Sequence, residues 1–112
     1  MSLDITFRLE RKLRCPHCGE TVRWEIILVE ESDGRRWYPP LAQIGYYVPH
    51  EQRTEENDWY GKDMVLTDGQ RDQMKAYVSD TPRVLLYRAE AILALLERSY
   101  SPGYRVVVNA DW

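Results

Sequence analysis

Leu3-Asp4-Ile5-Thr6-Phe7-Arg8-Leu9-Glu10 alternates apolar and polar residues without a break. Period two places Leu3, Ile5, Phe7 and Leu9 on one face of a strand and the polar residues on the other. A second alternating stretch follows, with Val22, Trp24, Ile26 and Leu28 set between Thr21, Arg23 and Glu25. Ile27 and Val29 make the end of that stretch apolar on both faces, which predicts a central strand. The segment between them, Arg14-Cys15-Pro16-His17-Cys18-Gly19-Glu20, is the expected tip of a hairpin. Asp33-Gly34 supplies the turn that ends the second strand.

Outward from the hairpin, residues 32–66 show no clear period. Trp37-Tyr38-Pro39-Pro40 reads as a stiff extended piece, because proline restricts both itself and its predecessor. Gln43 to Val48 reads as a short strand, His50 to Asp58 as an exposed acidic loop, and Met64-Val65-Leu66 as a short strand or core anchor. Six aromatic residues (Trp37, Tyr38, Tyr46, Tyr47, Trp59 and Tyr60) make this region more than a passive linker. Tyrosine and tryptophan join a large apolar surface to a polar handle, which suits half-wet interfaces.

Thr67-Asp68-Gly69-Gln70 predicts a helix start, since Thr67 and Gln70 can form a reciprocal capping box. That helix runs to about Ser79 and buries Met74, Tyr77 and Val78. Thr81-Pro82 predicts the start of a second helix, with threonine as cap and proline at the first helical position. Its apolar stripe is Leu85, Ala89, Ile92, Leu93 and Leu96, widened by Leu86 and Leu95. Ser101-Pro102-Gly103 ends it. Tyr104, Val106 and Val108 predict a final strand over 104–110. The expected fold is α+β, in the order β-β-(β)-α-α-β. A mainly antiparallel sheet is built from the N-terminal hairpin and the C-terminal strand, with two helices packed on one face. The expected organisation is one domain over 1–112: the hairpin at 1–31, the aromatic-rich region at 32–66, two helices at 67–99, then the strand.

The chain has 112 residues and a formal net charge of -3. That balance argues against nucleic-acid binding driven by a general basic surface. No apolar stretch approaches the ~20 residues of a membrane helix, and no signal peptide is evident. The expected setting is a reducing cytoplasm, where two cysteines this close are metal ligands or a redox pair rather than a structural disulfide.

Cys15-Pro16-His17-Cys18-Gly19 has the form of a zinc knuckle, in which two thiolates reach one ion and glycine permits the tight turn. Structural zinc takes four ligands, so two are missing locally. His50, with a carboxylate such as Glu51, could fold over the knuckle; His17 could contribute; or two chains could share one ion. Alternatively, Pro16 and Gly19 merely shape a hairpin tip. A redox pair is disfavoured, because a lowered cysteine pKa commonly requires a helix after the first cysteine, and here a strand follows. No other catalytic set emerges, which leans the reading away from an enzyme. The acidic loop containing Glu55, Glu56 and Asp58 matches no cation-binding spacing. Arg8, Arg11, Lys12 and Arg14, with Arg35 and Arg36, read as a basic strand edge that discourages aggregation.

Met1-Ser2-Leu3-Asp4-Ile5, followed by Cys-Pro-His-Cys-Gly-Glu-Thr-Val at 15–22, resembles a group of small bacteriophage-encoded proteins of unknown function. Some of these also end in a helix and a Val-rich strand closing near Asp-Trp, as Val106 to Trp112 does here. The resemblance covers roughly residues 1–25 and 63–112. The Ile-Thr-His-Asn-Leu-like segment that such proteins carry after the second strand has no counterpart in this chain. The resemblance implies a phage or prophage accessory protein in the bacterial cytoplasm and supplies no catalytic residue.

The expected function is therefore a non-enzymatic protein-interaction module, with zinc as the cofactor the cysteine pair could hold. Its partner is another protein or a second copy, met through the six aromatics; membrane is not expected and nucleic acid is disfavoured. The alternatives are a CxxC redox or metal-dependent enzyme, with Cys15, Cys18 and His50 as ligands, and a nucleic-acid-binding protein that uses the basic hairpin.

Overall fold

A strand of eleven residues is long enough to serve two neighbours, and the first strand does so. In the computed structural model, which describes residues 3–112 apart from the side chains of residues 21 and 22, β1 (Asp4–Arg14) pairs on both sides. Met1, Ser2 and the inward face expected for Val22 lie outside the described residues. β2 (Thr21–Asp33) is antiparallel to one side of β1. β4 (Tyr104–Asp111) is antiparallel to the other side, and the two-residue β3 (Met64–Val65) pairs with β4. The sheet order is β2-β1-β4-β3.

β1 is thus the central strand, and β2 lies at an edge, contrary to the reading of Ile27 and Val29. The physical reason is a bulge. Leu9 faces Leu28 but Glu10 faces Ile26, leaving Ile27 as the extra residue. A bulge changes the phase of every side chain beyond it. Leu28 therefore points to the same face as Leu9, while Ile26 and Trp24 turn to the opposite face with Glu10. Apolarity on both faces of β2 records this change of phase, not burial on both sides: Ile26 and Val29 are about half exposed.

One face of the sheet is covered. Ile5, Phe7, Leu9, Val106, Val108 and Ala110 pack there with residues of the helical layer into a continuous core. α2 (Asp68–Asp80) contributes Met74 and Val78, and α3 (Ala89–Arg98) contributes Ala89, Ile92, Leu95 and Leu96. The capping box of α2 forms as the sequence predicts. The Thr67 amide donates to Gln70 Oε1 at 2.9 Å, and the Gln70 amide donates to Thr67 Oγ1 at 3.2 Å. The α+β architecture read from the sequence is therefore present, with a third, short helix added.

That helix is α1 (Tyr38–Gln43), preceded by a 3-10 turn at Arg35–Trp37. The extended piece expected at 37–40 is helical because Pro39 and Pro40 sit in the first turn, where a missing amide hydrogen has no intrahelical role. The strand expected over Gln43–Val48 is instead the end of α1 and a turn at Ile44–Tyr46. There Gly45 takes φ +82, a conformation that other residues adopt at a cost.

The second long helix also starts later than Thr81-Pro82 suggests. The Thr81 amide donates to the Tyr77 carbonyl and closes α2, and the Thr81 hydroxyl donates to the same oxygen at 2.7 Å. Pro82 opens a 3-10 turn at Arg83–Leu85, and α3 begins only at Ala89, after Arg88 in a left-handed conformation (φ 59). Such a conformation costs on the order of 1 kcal/mol for a residue with a Cβ. It is held by a two-pronged ion pair from Arg88 to Glu30 of β2, at 2.6 and 3.0 Å. Leu85 consequently leaves the buried stripe and is exposed, while Leu86 remains inside as an anchor.

The opposite face of the sheet carries a charged cluster. Glu10 is buried to 4% exposure and accepts from Arg105 at 2.8 Å and from Arg8 at 3.1–3.2 Å. Arg105 lies 4.1 Å above the Trp24 ring. Arg8 also reaches Asp63 at 3.0 Å, and Asn109 donates to Asp63 at 2.9 Å.

The hydrogen bonds from Arg8 and Asn109 hold the Asp63 carboxyl below its ordinary value of 3.8. A carboxylate with a lowered folded-state pKa stabilises above the unfolded pKa, and that contribution is lost as pH falls through the folded value. Asp63→Asn should therefore lower the denaturant midpoint near neutral pH, and the gap to the parent should close as the pH is taken below about 3.8. Because the Asp63 side chain is about half exposed, the effect is at most about 1 kcal/mol. A gap that widens on acidification contradicts this assignment.

Candidate functional site

Two places in the fold collect residues with chemistry, and they lie at opposite ends of β4. The first is the hairpin tip. β4 pairs with β1 only as far as Arg11, which faces Tyr104. The Lys12 amide still donates to the Gly103 carbonyl, just ahead of β4, at 2.9 Å; past it β1 and β2 pair with each other alone, through Leu13 with Arg23 and Arg14 with Thr21. The resulting two-stranded arm projects roughly 10 Å past the sheet at ~3.3 Å per residue. The molecule measures 48 × 35 × 21 Å with a radius of gyration of 14.8 Å, against about 13 Å for a compact chain of this length.

Cys15 and Cys18 sit in the turn that closes this arm. Residues 16–20 are exposed and Cys15 is half-buried. The Cys15 amide donates to the Glu20 carbonyl at 2.8 Å, the Gly19 amide to the Cys15 carbonyl at 2.9 Å, and Arg14 to the Gly19 carbonyl at 2.8 Å. Gly19 has φ +73, which is what lets the chain reverse directly after Cys18.

The turn aims donors at a sulfur. The backbone amides of Cys18 and His17 donate to Cys15 Sγ, as does the Cys18 thiol, and together they lower the Cys15 pKa from its ordinary value of 9.0. Cys15 should accordingly be alkylated faster than Cys18 by iodoacetamide at neutral pH, since the thiolate is the reacting form. Peptide mapping at partial modification measures this directly; equal rates, or faster reaction at Cys18, contradict the hydrogen-bond pattern.

The predicted ligands are only partly brought together. Cys15 and Cys18 share the tip, and His17 lies between them, exposed. His50 does not join them. It lies in a 3-10 turn at His50–Gln52 and lines an open depression with Arg53, Thr54, Glu55 and Asp58. Arg53 in turn stacks over Trp112, just past the far end of β4. Among the described residues, no three of His, Cys, Asp or Glu come together as a metal-holding group.

The second place is the aromatic rim around Trp112. The Trp112 ring lies 4.9 Å from Tyr60, 5.1 Å from Tyr47, 6.2 Å from Tyr46 and 6.4 Å from Tyr38, all edge-to-face. The Arg53 guanidinium is 5.5 Å from its centre. Tyr38 and Tyr47 meet at 4.9 Å, and Trp59 lies 6.2 Å from Tyr46.

The six aromatics expected at an interface divide into two groups. Trp37 and Tyr46 are fully buried and belong to the core, so neither can face a partner. The Tyr46 hydroxyl faces the Lys62 carbonyl at 2.7 Å and accepts from the Ala110 amide at 2.8 Å, tying the middle region to β4. Burial pushes its phenol pKa up. Tyr38, Tyr47 and Trp59 are partly exposed and Tyr60 is exposed, so these four can contribute to a surface. Trp112 and Arg53 were not singled out in the sequence. The usable signal was the continuation of β4's pattern, which carries Trp112 past the strand's end and beside the loop aromatics.

No protein-family model, curated protein or solved structure matches this chain. No helix among the described residues is long and apolar enough to cross a membrane.

Proposed function

We propose that this chain is a non-enzymatic interaction module whose partner-facing surface is the rim formed by Tyr38, Tyr47, Trp59, Tyr60 and Trp112 with Arg53. The observation that carries the reading is the convergence of Tyr38, Tyr47 and Tyr60 on Trp112 at one end of the sheet, with Tyr60 47% exposed. Tyrosine, tryptophan and arginine are the residues enriched at the energetic centres of protein interfaces. Rings already held edge-to-face lose little freedom when a partner covers them. The expected partner is a folded protein, and the setting implied by the sequence resemblance is the cytoplasm of a bacterial host.

Site-specific photocrosslinking tests this. A photoreactive phenylalanine replacing Tyr60 should yield discrete adducts in a bacterial host, and Trp112→Ala in the same chain should abolish them. The same probe at Val84, which is 90% exposed on the turn before α3, is the control. Equal adducts at both positions, or none at Tyr60, overturn the assignment.

A further inference from the structure

The geometry points to a metal site shared between two copies of this chain, in which Cys15 and Cys18 of each hairpin tip ligate one zinc ion. The argument starts from sulfur chemistry. A structural zinc takes four ligands in tetrahedral array, with Zn–S bonds of about 2.3 Å and hence sulfurs about 3.8 Å apart. Cys15 and Cys18 are both free thiols held in one tight turn, closed by the Gly19 amide on the Cys15 carbonyl at 2.9 Å. One tip therefore supplies two of the four thiols that a tetrathiolate site needs.

The other half is best supplied by an identical tip. The arm carries the cysteines beyond β4, and residues 16–20 stand exposed around them. The chain's other histidine, His50, is at the far end of the molecule. Two arms can approach head-on about a two-fold axis without their globular bodies colliding, and a two-fold contact is the commonest symmetry of paired chains. On binding, four thiols release four protons to solvent and one Zn²⁺ is held by four thiolates, leaving a net charge of -2. Arg14, pinned to the Gly19 carbonyl at 2.8 Å, places one guanidinium per copy beside that charge.

The test uses the full chain with a thiol-free reductant. Adding zinc should double the mass seen by sedimentation, with one zinc per two chains, and a chelator should restore the monomer. Small-angle scattering should show an elongated pair whose longest dimension approaches twice the 48 Å of a single chain. Cobalt in place of zinc should give the visible spectrum of a tetrahedral tetrathiolate. Cys18→Ser should remain monomeric at the same zinc concentration with its thermal midpoint unchanged, because the tip lies outside the core. One zinc per monomer, a pair that forms without metal, a compact pair, or a cobalt spectrum with nitrogen or oxygen ligands would each overturn the shared site, as would failure to retain zinc at all. None of these outcomes bears on the aromatic rim at the other end of the sheet.

Discussion

Trp37→Ala is expected to lower the stability of the fold by about 3–5 kcal/mol, the cost of emptying a large, well-packed core position. Trp37 is fully buried and packs against Phe7 at 5.4 Å and Tyr77 at 6.3 Å, joining the sheet to α2. Its indole N–H donates to Ser32 Oγ at 2.9 Å, and Ser32 passes the bond on to the Tyr87 carbonyl at 2.6 Å. One side chain thus connects β2, the turn before α1 and the segment ahead of α3. Set against the ~5–15 kcal/mol that holds a typical domain together, the loss is a large fraction. Urea denaturation should show a midpoint lower by about 2 M at a slope of about 2 kcal/mol/M. Trp37→Phe should keep much of the packing and cost about 1–2 kcal/mol, mainly through the lost bond to Ser32. A Trp37→Ala loss below about 1 kcal/mol would falsify the view that the aromatic middle region is built into the core.

Glu10→Ala is expected to cost about 3 kcal/mol, the lower end of the range for removing one partner from a buried ion pair. Glu10 is 4% exposed and accepts from two guanidiniums, those of Arg8 and Arg105, on the face of the sheet that carries no helix. Without it, Arg105 loses the carboxylate it is paired with and Arg8 keeps only Asp63, at 3.0 Å. The low end applies because Arg8 and Arg105 retain 23% and 29% side-chain exposure, so water offsets part of the loss. Glu10→Gln, which keeps the shape and one acceptor but not the charge, should fall between Glu10→Ala and the parent. The Arg105→Met variant tests the arrangement from the other side. Combined with Glu10→Ala, it should cost clearly less than the two changes summed, because the groups act together. Strict additivity would show that Arg105 and Glu10 stand independently.

Much of the fold was legible because the interactions behind it are local. The alternation of Leu3, Ile5, Phe7 and Leu9 and the Thr67–Gln70 box each involve residues a few positions apart, and each appears in the structure where the pattern places it. The errors fall where a distant contact decides. Thr81-Pro82 offers a good helix start, but Leu86 is drawn into the core and Arg88 is tied to Glu30, which delays α3 to Ala89. The apolar residues Ile27 and Val29 suggested a central strand, but a bulge opposite Leu9 and Glu10 turned β2 over at the sheet's edge. Trp37-Tyr38-Pro39-Pro40 was compatible with extended or helical backbone, and the burial of Trp37 and Leu41 favoured the helix.

The candidate sites follow the same division. Period, caps and the Cys-x-x-Cys spacing are written in neighbouring residues, so the sequence by itself determined the α+β class, the hairpin and the position of two thiols at its tip. Which aromatics are inside and which outside, that Trp112 gathers those outside, and that His50 lies far from the cysteines were decided only by tertiary structure. The physical reason is that burial and convergence depend on pairings as distant as Tyr46 with Ala110, sixty-four positions apart, and no local pattern encodes a contact of that separation.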